Sequence, residues 1–154
     1  MAAAFNNITL LKKKSDTLEN VQGQDALKGK ITAVYFSAMW CPSCRQFTPK
    51  LIRFYDKLKK AGCNIEVVLC SRDRTEPDLV EYFKEHNGNW LALPYGNNHM
   101  QDLLKKYDVA TIPALKILRE DGKLIVDKGR QDIQEKGQDP VALFKEWEKL
   151  ANKK

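Results

Sequence analysis

Two short apolar runs, Ile31–Ser37 and Ile65–Cys70, dominate the hydrophobic pattern in the first half of the chain. Both have the length and the β-branched content of strands that are buried on both faces. Between them, apolar positions recur at helical spacing until Gly62, a residue type that commonly ends a helix. These positions are Phe47, Leu51, Phe54, Tyr55 and Leu58. Two strands joined so closely through one helix predict a parallel pair with a right-handed crossover.

Helical patterns recur in the second half of the chain. Thr75 is a predicted N-cap, with Pro77 in the first helical turn. The apolar positions of the three predicted helices are Leu79, Tyr82 and Phe83 in the first, Met100, Leu103, Leu104 and Tyr107 in the second, and Leu143, Phe144, Trp147, Leu150 and Ala151 in the last. Their i, i+3, i+4 spacing gives each helix one apolar face that has to pack on a core.

Strand signals complete the pattern. The turn Glu120-Asp121-Gly122 lies between the apolar runs Ala114–Leu118 and Lys123–Val126, which predicts a hairpin. Near the N-terminus, Ile8–Leu11 is predicted as a short strand, followed by an irregular stretch through Gly29. Together the elements predict an α/β protein with a mixed central β-sheet that is flanked by helices on both faces.

Composition sets the scale and excludes some classes of function. The 154 residues predict a single domain over 1–154, with a core at about 28–150 and an N-terminal extension at 1–27. The longest nearly apolar stretch, Ile31–Trp40, is about half a membrane span, so no membrane partner is expected. The net charge is +6, but most Lys and Arg residues alternate with Asp and Glu, which disfavours nucleic acid. Without a secretory or Arg-rich transit segment, a cytoplasmic location is expected.

The run Trp40-Cys41-Pro42-Ser43-Cys44 lies where the first buried strand gives way to a helix. In a cytosolic chain, Cys-X-X-Cys spacing indicates redox catalysis or a metal site, and two reduced structural cysteines remain an alternative. A zinc site needs a second close pair of ligands. Cys63 and Cys70 are seven residues apart, and His86 and His99 are isolated from both. We therefore expect no metal.

The layout and several motifs resemble the thioredoxin superfamily, in particular its tryparedoxin and nucleoredoxin-like branch. The motifs are Tyr-Phe-Ser-Ala-Met-Trp-Cys-Pro-Ser-Cys-Arg at 35–45, Phe47-Thr48-Pro49, Val67 to Asp73, Trp90-Leu91-Ala92-Leu93-Pro94-Tyr95 and Thr111-Ile112-Pro113. The similarity covers roughly residues 28 to 133, and it implies a thioredoxin-like fold.

The resemblance also implies roles for individual residues. Cys41 corresponds to the attacking thiol at the helix N-terminus, where unpaired N–H groups favour a thiolate, and Cys44 to the shielded resolving thiol. Pro113 matches a cis-proline, and Ile112 before it would offer backbone groups to an extended substrate. The other implied substrate-binding residues around the two cysteines are Trp40 as an exposed platform, Pro42 and Ser43.

Three arginines complete the predicted site. Arg72 and Arg74 stand where tryparedoxins place Trp and Glu, in a loop near the disulfide. Two cations there suit an acidic partner or the carboxylates of glutathione. Arg130 matches a family arginine near the site, and solvated loop arginines are the alternative for all three. Tyr35 replaces the buried acid of thioredoxins proper, so the Cys44 proton has to leave through water or another group.

The expected function is thiol–disulfide exchange that reduces disulfide-containing proteins. No bound cofactor is expected beyond a redox-active Cys41–Cys44 disulfide. Electrons would come from an upstream reductase or a small thiol such as glutathione. The alternative is a nucleoredoxin-like binding regulator whose partner affinity depends on oxidation state and which turns over little. The resemblance also allows a nuclear location.

Overall fold

A seven-stranded mixed sheet forms the centre of the computed structural model, which describes residues 4–153. The strands are β1 (Thr9–Lys14), β2 (Thr17–Gln22), β3 (Ile31–Ser37), β4 (Ile65–Ser71), β5 (Leu91–Ala92), β6 (Ala114–Leu118) and β7 (Leu124–Val126). The helices are α1 (Gly23–Ala26), α2 (Pro42–Lys60), α3 (Glu76–His86), α4 (His99–Lys106), α5 (Gly129–Lys136) and α6 (Pro140–Ala151). The strand order is β2-β1-β5-β4-β3-β6-β7.

The two apolar runs form the centre of this sheet, as predicted. β3 and β4 pair in parallel, with Ile31 opposite Ile65 and Ser37 opposite Ser71, and α2 makes the crossover between them. All seven residues of each strand are buried, because helices cover both faces of the sheet. β6 pairs with β3 in the antiparallel direction and forms a hairpin with β7, so the predicted hairpin is confirmed.

Alternate side chains of β3 point to the two halves of the core. Ala33 and Tyr35 lie on the face that packs against α2, α3, α5 and α6, whereas Val34 and Phe36 lie on the face that packs against α4. The expected mixed sheet with helices on both faces is therefore observed. Among the described residues, no helix is long and apolar enough to cross a membrane.

The prediction of an irregular stretch between Leu11 and Gly29 is wrong. β1 continues to Lys14, and β2 pairs with it through six residues to make an edge hairpin of the same sheet. β2 reads TLENVQ and is largely exposed, so it lacks the apolar signal of a buried strand. The turn between β1 and β2, Ser15-Asp16, contains no glycine, so it gives no turn signal of that kind in the sequence. Ser15 adopts the positive φ, 55°, that the turn requires.

Two further elements were absent from the sequence prediction. β5 has only two residues, which is too short for a periodicity signal. α5 reads GRQDIQEK, and apart from its first glycine only Ile133 is buried, so no apolar stripe marks it as a helix. Both elements depend on tertiary packing: β5 fills the gap between β1 and β4, and α5 packs against β6, α2 and α6.

Candidate active site

Cys41 is the N-cap residue of α2, directly after the loop that leaves β3. Its sulfur accepts a hydrogen bond from the backbone N–H of Cys44 at 3.3 Å, and Pro42 occupies the first turn. A sulfur at this position faces the positive end of the helix dipole. Both residues are buried, but Cys41 is 7% exposed and Cys44 is fully enclosed, so Cys41 is the more exposed of the pair.

The surroundings of Cys44 keep its thiol protonated. Burial raises the pKa of Cys44 from 9.0 to about 12, and a hydrogen bond to Cys41 acts in the same direction. Hydrogen bonds from Ser37 and from the backbone of Ala38 oppose this rise in pKa. The structure has no disulfide between Cys41 and Cys44. The division of the two cysteines into an attacking Cys41 and a resolving Cys44 stays a prediction.

Four buried hydroxyl groups lie beneath the two cysteines. The Tyr35 hydroxyl is 2.7 Å from Thr48 Oγ1, which donates to the backbone carbonyl of Cys44 at 2.8 Å. The Tyr82 hydroxyl bonds both Thr48 Oγ1, at 3.1 Å, and Ser37 Oγ. Ser37 in turn bonds the Cys44 thiol. This hydroxyl cluster of Tyr35, Ser37, Thr48 and Tyr82 occupies the place where a buried acid was missing in the sequence comparison.

The carboxylate of Asp73 joins the loop after β4 to the loop that carries Trp40. It accepts the backbone N–H of Met39 at 3.0 and 3.3 Å and the hydroxyl of Ser71 at 2.5 Å, and it is 7% exposed. Asp73 was not among the predicted site residues. Its position carried a signal nevertheless, because an acidic residue two positions after a buried central strand lies at the same edge of the sheet as the end of β3.

Several predicted site residues line one groove. Trp40, Arg72, Arg74 and Ile112 surround a cavity of about 580 Å³, together with Leu104 and Val109–Thr111. Trp40 is 53% exposed, in agreement with the expected platform, and Ile112 also packs against Cys41 and Cys44.

The two prolines and Ser43 flank the cysteines from different sides. The Ile112–Pro113 peptide bond is cis, as the resemblance implies, and Pro113 is buried. Pro42 and Ser43 are exposed on the first turn of α2. They therefore present solvent-exposed surface next to Cys41 in the chain.

Arg130 is a predicted site residue that lies neither in the lining of the groove nor next to the two cysteines in the sequence. It is the second residue of α5, half-buried, and its Nε is buried without a hydrogen-bond partner among residues 4–153. Its role in the site stays a prediction.

The remaining cysteines lie apart from the site. Cys70 is buried in β4 with a raised pKa, and Cys63 follows the far end of α2. Within the described part of the chain, no group of three or more His, Cys, Asp or Glu residues is arranged to hold a metal ion.

Comparison with known proteins identifies the family. A family model described as thioredoxin-like matches residues 29–124. The chain belongs to the thioredoxin-like family. Nucleoredoxin of Homo sapiens is 38% identical over 125 residues, which cover 80% of this chain and 27% of that protein. Tryparedoxin of Trypanosoma brucei brucei is 41% identical over 112 residues, which cover 71% and 76% of the two chains.

Solved structures agree with the fold. The thioredoxin of Wuchereria bancrofti has a TM-score of 0.77 and 40% identity, over 96% of this chain and 97% of that one. Tryparedoxin II complexed with glutathionylspermidine has a TM-score of 0.75 and 33% identity, over 84% and 87%. The resemblance to the tryparedoxin and nucleoredoxin branch is therefore confirmed. The chain spans about a quarter of the length of the nucleoredoxins it matches, 27% for the human protein.

Proposed function

We propose that this chain is a thiol–disulfide oxidoreductase that reduces protein disulfides with the Cys41 and Cys44 dithiol. The observation that carries the proposal is the asymmetric pair at the start of α2. Cys41 is the more exposed of the two, at 7%, and its sulfur accepts a backbone N–H, while Cys44 is fully buried and its raised pKa keeps the thiol protonated. Relatives named nucleoredoxin and tryparedoxin support thiol redox chemistry on this fold.

The reaction has two exchange steps. The Cys41 thiolate attacks one sulfur of the target disulfide, so that bond breaks, and the second target sulfur leaves as a thiolate that takes a proton from water. Cys44 then loses its proton and attacks the Cys41 sulfur of the mixed disulfide, which releases the other target thiol. The target gains two electrons, and the chain ends as a Cys41–Cys44 disulfide. No further cofactor is needed.

A second reductant must return those two electrons to the Cys41–Cys44 disulfide. An upstream reductase can supply both, or two molecules of a small thiol such as glutathione can do so and leave as their own disulfide. The tryparedoxin II structure with glutathionylspermidine supports a small thiol as a partner of this fold. A reducing compartment such as the cytosol, or the nucleus, would keep the dithiol form populated and favour reduction over oxidation of targets.

Two serine variants test the proposed function. In insulin reduction with dithiothreitol, Cys41→Ser should lower the rate to that of dithiothreitol alone, because the attacking sulfur is gone. Cys44→Ser should accumulate a covalent mixed disulfide with insulin on Cys41, visible by non-reducing electrophoresis and intact mass. Cys63→Ser is the matched control and should react like the unaltered chain. Unchanged turnover of Cys41→Ser would overturn the proposal.

A redox-sensitive binding regulator is the second candidate. It is favoured by one observation: Trp40 is 53% exposed beside a Cys41 that is only 7% exposed, so the site offers more contact surface than reactive sulfur. The Cys41→Ser, Cys44→Ser double variant separates the two candidates. A partner that binds the double variant as tightly as the dithiol form, together with insulin turnover no faster than dithiothreitol alone, would favour the regulator.

A further inference from the structure

The groove beside the cysteines carries charge of one sign. Arg72 and Arg74 are both exposed and both line it, and no Asp or Glu is among its lining residues. Within residues 4–153, neither guanidinium lies within salt-bridge distance of a carboxylate. The Asp73 carboxylate between them is hydrogen-bonded to Met39 and Ser71 and is not among the residues that line the groove. The charged side chains that line the groove are therefore both positive.

Hydrogen bonds to the rest of the chain hold the backbone of Arg72 and Arg74 in place. The Arg72 N–H donates to the Ser37 carbonyl at 2.8 Å, and the Arg72 carbonyl accepts the indole N–H of Trp40 at 3.3 Å. The Arg74 carbonyl accepts the hydroxyl of Tyr95 at 2.6 Å. The Arg74 guanidinium also lies 5.5 Å from the centre of the Trp40 ring, within the range of a cation–π contact. The loop is thus held in place before any ligand binds, which lowers the entropy cost of binding.

The opposite side of the groove offers free backbone groups. Ala110, Thr111 and Ile112 make no backbone hydrogen bond to the rest of the described chain. These residues run into β6, whose pairing with β3 begins only at Ala114. An extended polypeptide can pair with such a segment along its length, whereas a small thiol would leave most of these groups unused.

We propose that Arg72 and Arg74 make this groove selective for extended polypeptide segments in which acidic side chains flank the disulfide cysteine. This inference rests on the proposed function, because the groove opens beside Cys41. The carboxylates would pair with the guanidinium groups while the substrate backbone lies along Ala110–Ile112 and the reacting sulfur reaches Cys41. Arginine suits this role because its planar group can bond both oxygens of a carboxylate.

Three short peptides of matched length test the selectivity. Each carries one cysteine as a mixed disulfide with 2-thiopyridine, flanked by glutamate, glutamine or lysine. Attack of reduced Cys41 on the peptide sulfur breaks this disulfide and releases 2-thiopyridone, whose absorbance gives the second-order rate constant. At low salt we expect the glutamate peptide to react about 10-fold faster than the glutamine peptide and the lysine peptide to react slowest. The difference should shrink strongly at high salt.

Charge-reversed variants assign the effect to the groove. Arg72→Glu with Arg74→Glu should reverse the order of the peptides, so that the lysine peptide reacts fastest and the glutamate peptide slowest. Lys145→Glu with Lys149→Glu is the matched control, because it changes the net charge by the same amount as the two arginine substitutions. Both lysines lie on α6, and Lys145 is near Cys63, beyond the far end of α2. The control should keep the preference for glutamate. Arg72→Lys with Arg74→Lys should retain part of it.

The outcomes separate this inference from the proposed function. Equal rate constants for the three peptides, at rates that Cys41→Ser abolishes, would overturn the acidic selectivity and leave the reductase standing. Rates that Cys41→Ser does not change would overturn the reductase itself. The 2-thiopyridyl disulfide of glutathione is the comparison for the occupant. If the arginine substitutions lower its rate constant but do not change the rate constants of the peptides, a polypeptide is not the occupant of the groove.

Discussion

Cys41 and Cys44 carry the same chemical group in different surroundings. A helix N-terminus and partial exposure act on one sulfur, while burial and a hydrogen bond to its neighbour act on the other. Iodoacetamide should therefore alkylate Cys41 of the folded, reduced chain and leave Cys44 and Cys70 unmodified between pH 7 and 9. Peptide mapping by mass spectrometry gives the extent of labelling at each cysteine. Equal labelling of Cys41 and Cys44 in the folded chain would contradict this assignment.

A hydrogen bond from the Ser37 hydroxyl lowers the pKa of the Cys44 thiol. Ser37→Ala should therefore raise the Cys44 pKa and slow its attack on the mixed disulfide. A hydrogen bond worth about 0.5–1.5 kcal/mol corresponds to about a 2- to 10-fold loss in the rate of this second step. Rapid-mixing kinetics of mixed-disulfide decay, recorded as a function of pH, should show the profile displaced to higher pH.

Tyr82→Phe supplies the matched control for Ser37. The Tyr82 hydroxyl bonds Ser37 and Thr48 but not the Cys44 thiol. Its removal should lower the free energy of unfolding by about 1 kcal/mol and displace the pH profile less than Ser37→Ala does. If both variants displace the pH profile of mixed-disulfide decay equally, or if neither does, the hydrogen bond from Ser37 to Cys44 does not control the rate at which Cys44 attacks the mixed disulfide.

At the scale of elements, the site depends on the two loops that follow β3 and β4. Asp73 ties them together through the backbone of Met39. Asp73→Ala leaves a buried N–H and the Ser71 hydroxyl without this partner, so the free energy of unfolding should fall by about 1–3 kcal/mol in urea titrations. Acrylamide quenching of tryptophan fluorescence should change as well, because Trp40 is exposed while Trp90 and Trp147 are buried.

The exposed carboxylate of Asp56 on α2 provides the comparison for Asp73. Asp56→Ala removes a charge of the same sign without removing a buried partner, and it should leave the free energy of unfolding within about 0.5 kcal/mol. An equal decrease in the free energy of unfolding of both variants would mean that Asp73 acts through its charge and not through its hydrogen bonds to Met39 and Ser71.

The elements that were predictable are those whose signal is local. The capping role of Thr75 follows from its place before an apolar pattern, and its hydroxyl accepts the Asp78 N–H at 3.2 Å. Ser37, Thr48 and Tyr82 meet only after β3, α2 and α3 pack together, and Ser37 and Tyr82 are 45 positions apart in the sequence. No spacing in the sequence encodes such a contact, so the hydroxyl cluster required the structure.

At the scale of the whole molecule, buried thiol and phenol groups make the free energy of unfolding depend on pH in the alkaline range. Burial raises the pKa of Cys44 from 9.0 and that of Tyr107 from 10.0, both to about 12, and it also raises the pKa of Tyr35, Tyr55 and Cys70. As pH rises, the unfolded chain loses these protons first, so the stability they provide is complete below about pH 9 and is lost between pH 9 and 12.

Thermal unfolding of the reduced chain should therefore give a steady Tm up to about pH 9 and a falling Tm above it. The disulfide form offers the internal comparison, because Cys44 then has no proton to lose. Its Tm should decline less steeply over the same range. A Tm that holds or rises between pH 9 and 11 would show that the buried thiol and phenols do not control alkaline stability.

The hairpin of β1 and β2 at the outer edge of the sheet has a practical consequence for future experiments. Four strand spacings separate β2 from β3, which is about 19 Å, and none of the residues that line the groove comes from the hairpin. Asp16, in the exposed turn of this hairpin, is therefore a suitable position for a fluorophore or for a tether that attaches the molecule to a surface at the outer edge of its sheet. Target proteins could then approach the sulfur atoms unhindered, and single-molecule exchange events could be followed on an immobilised chain.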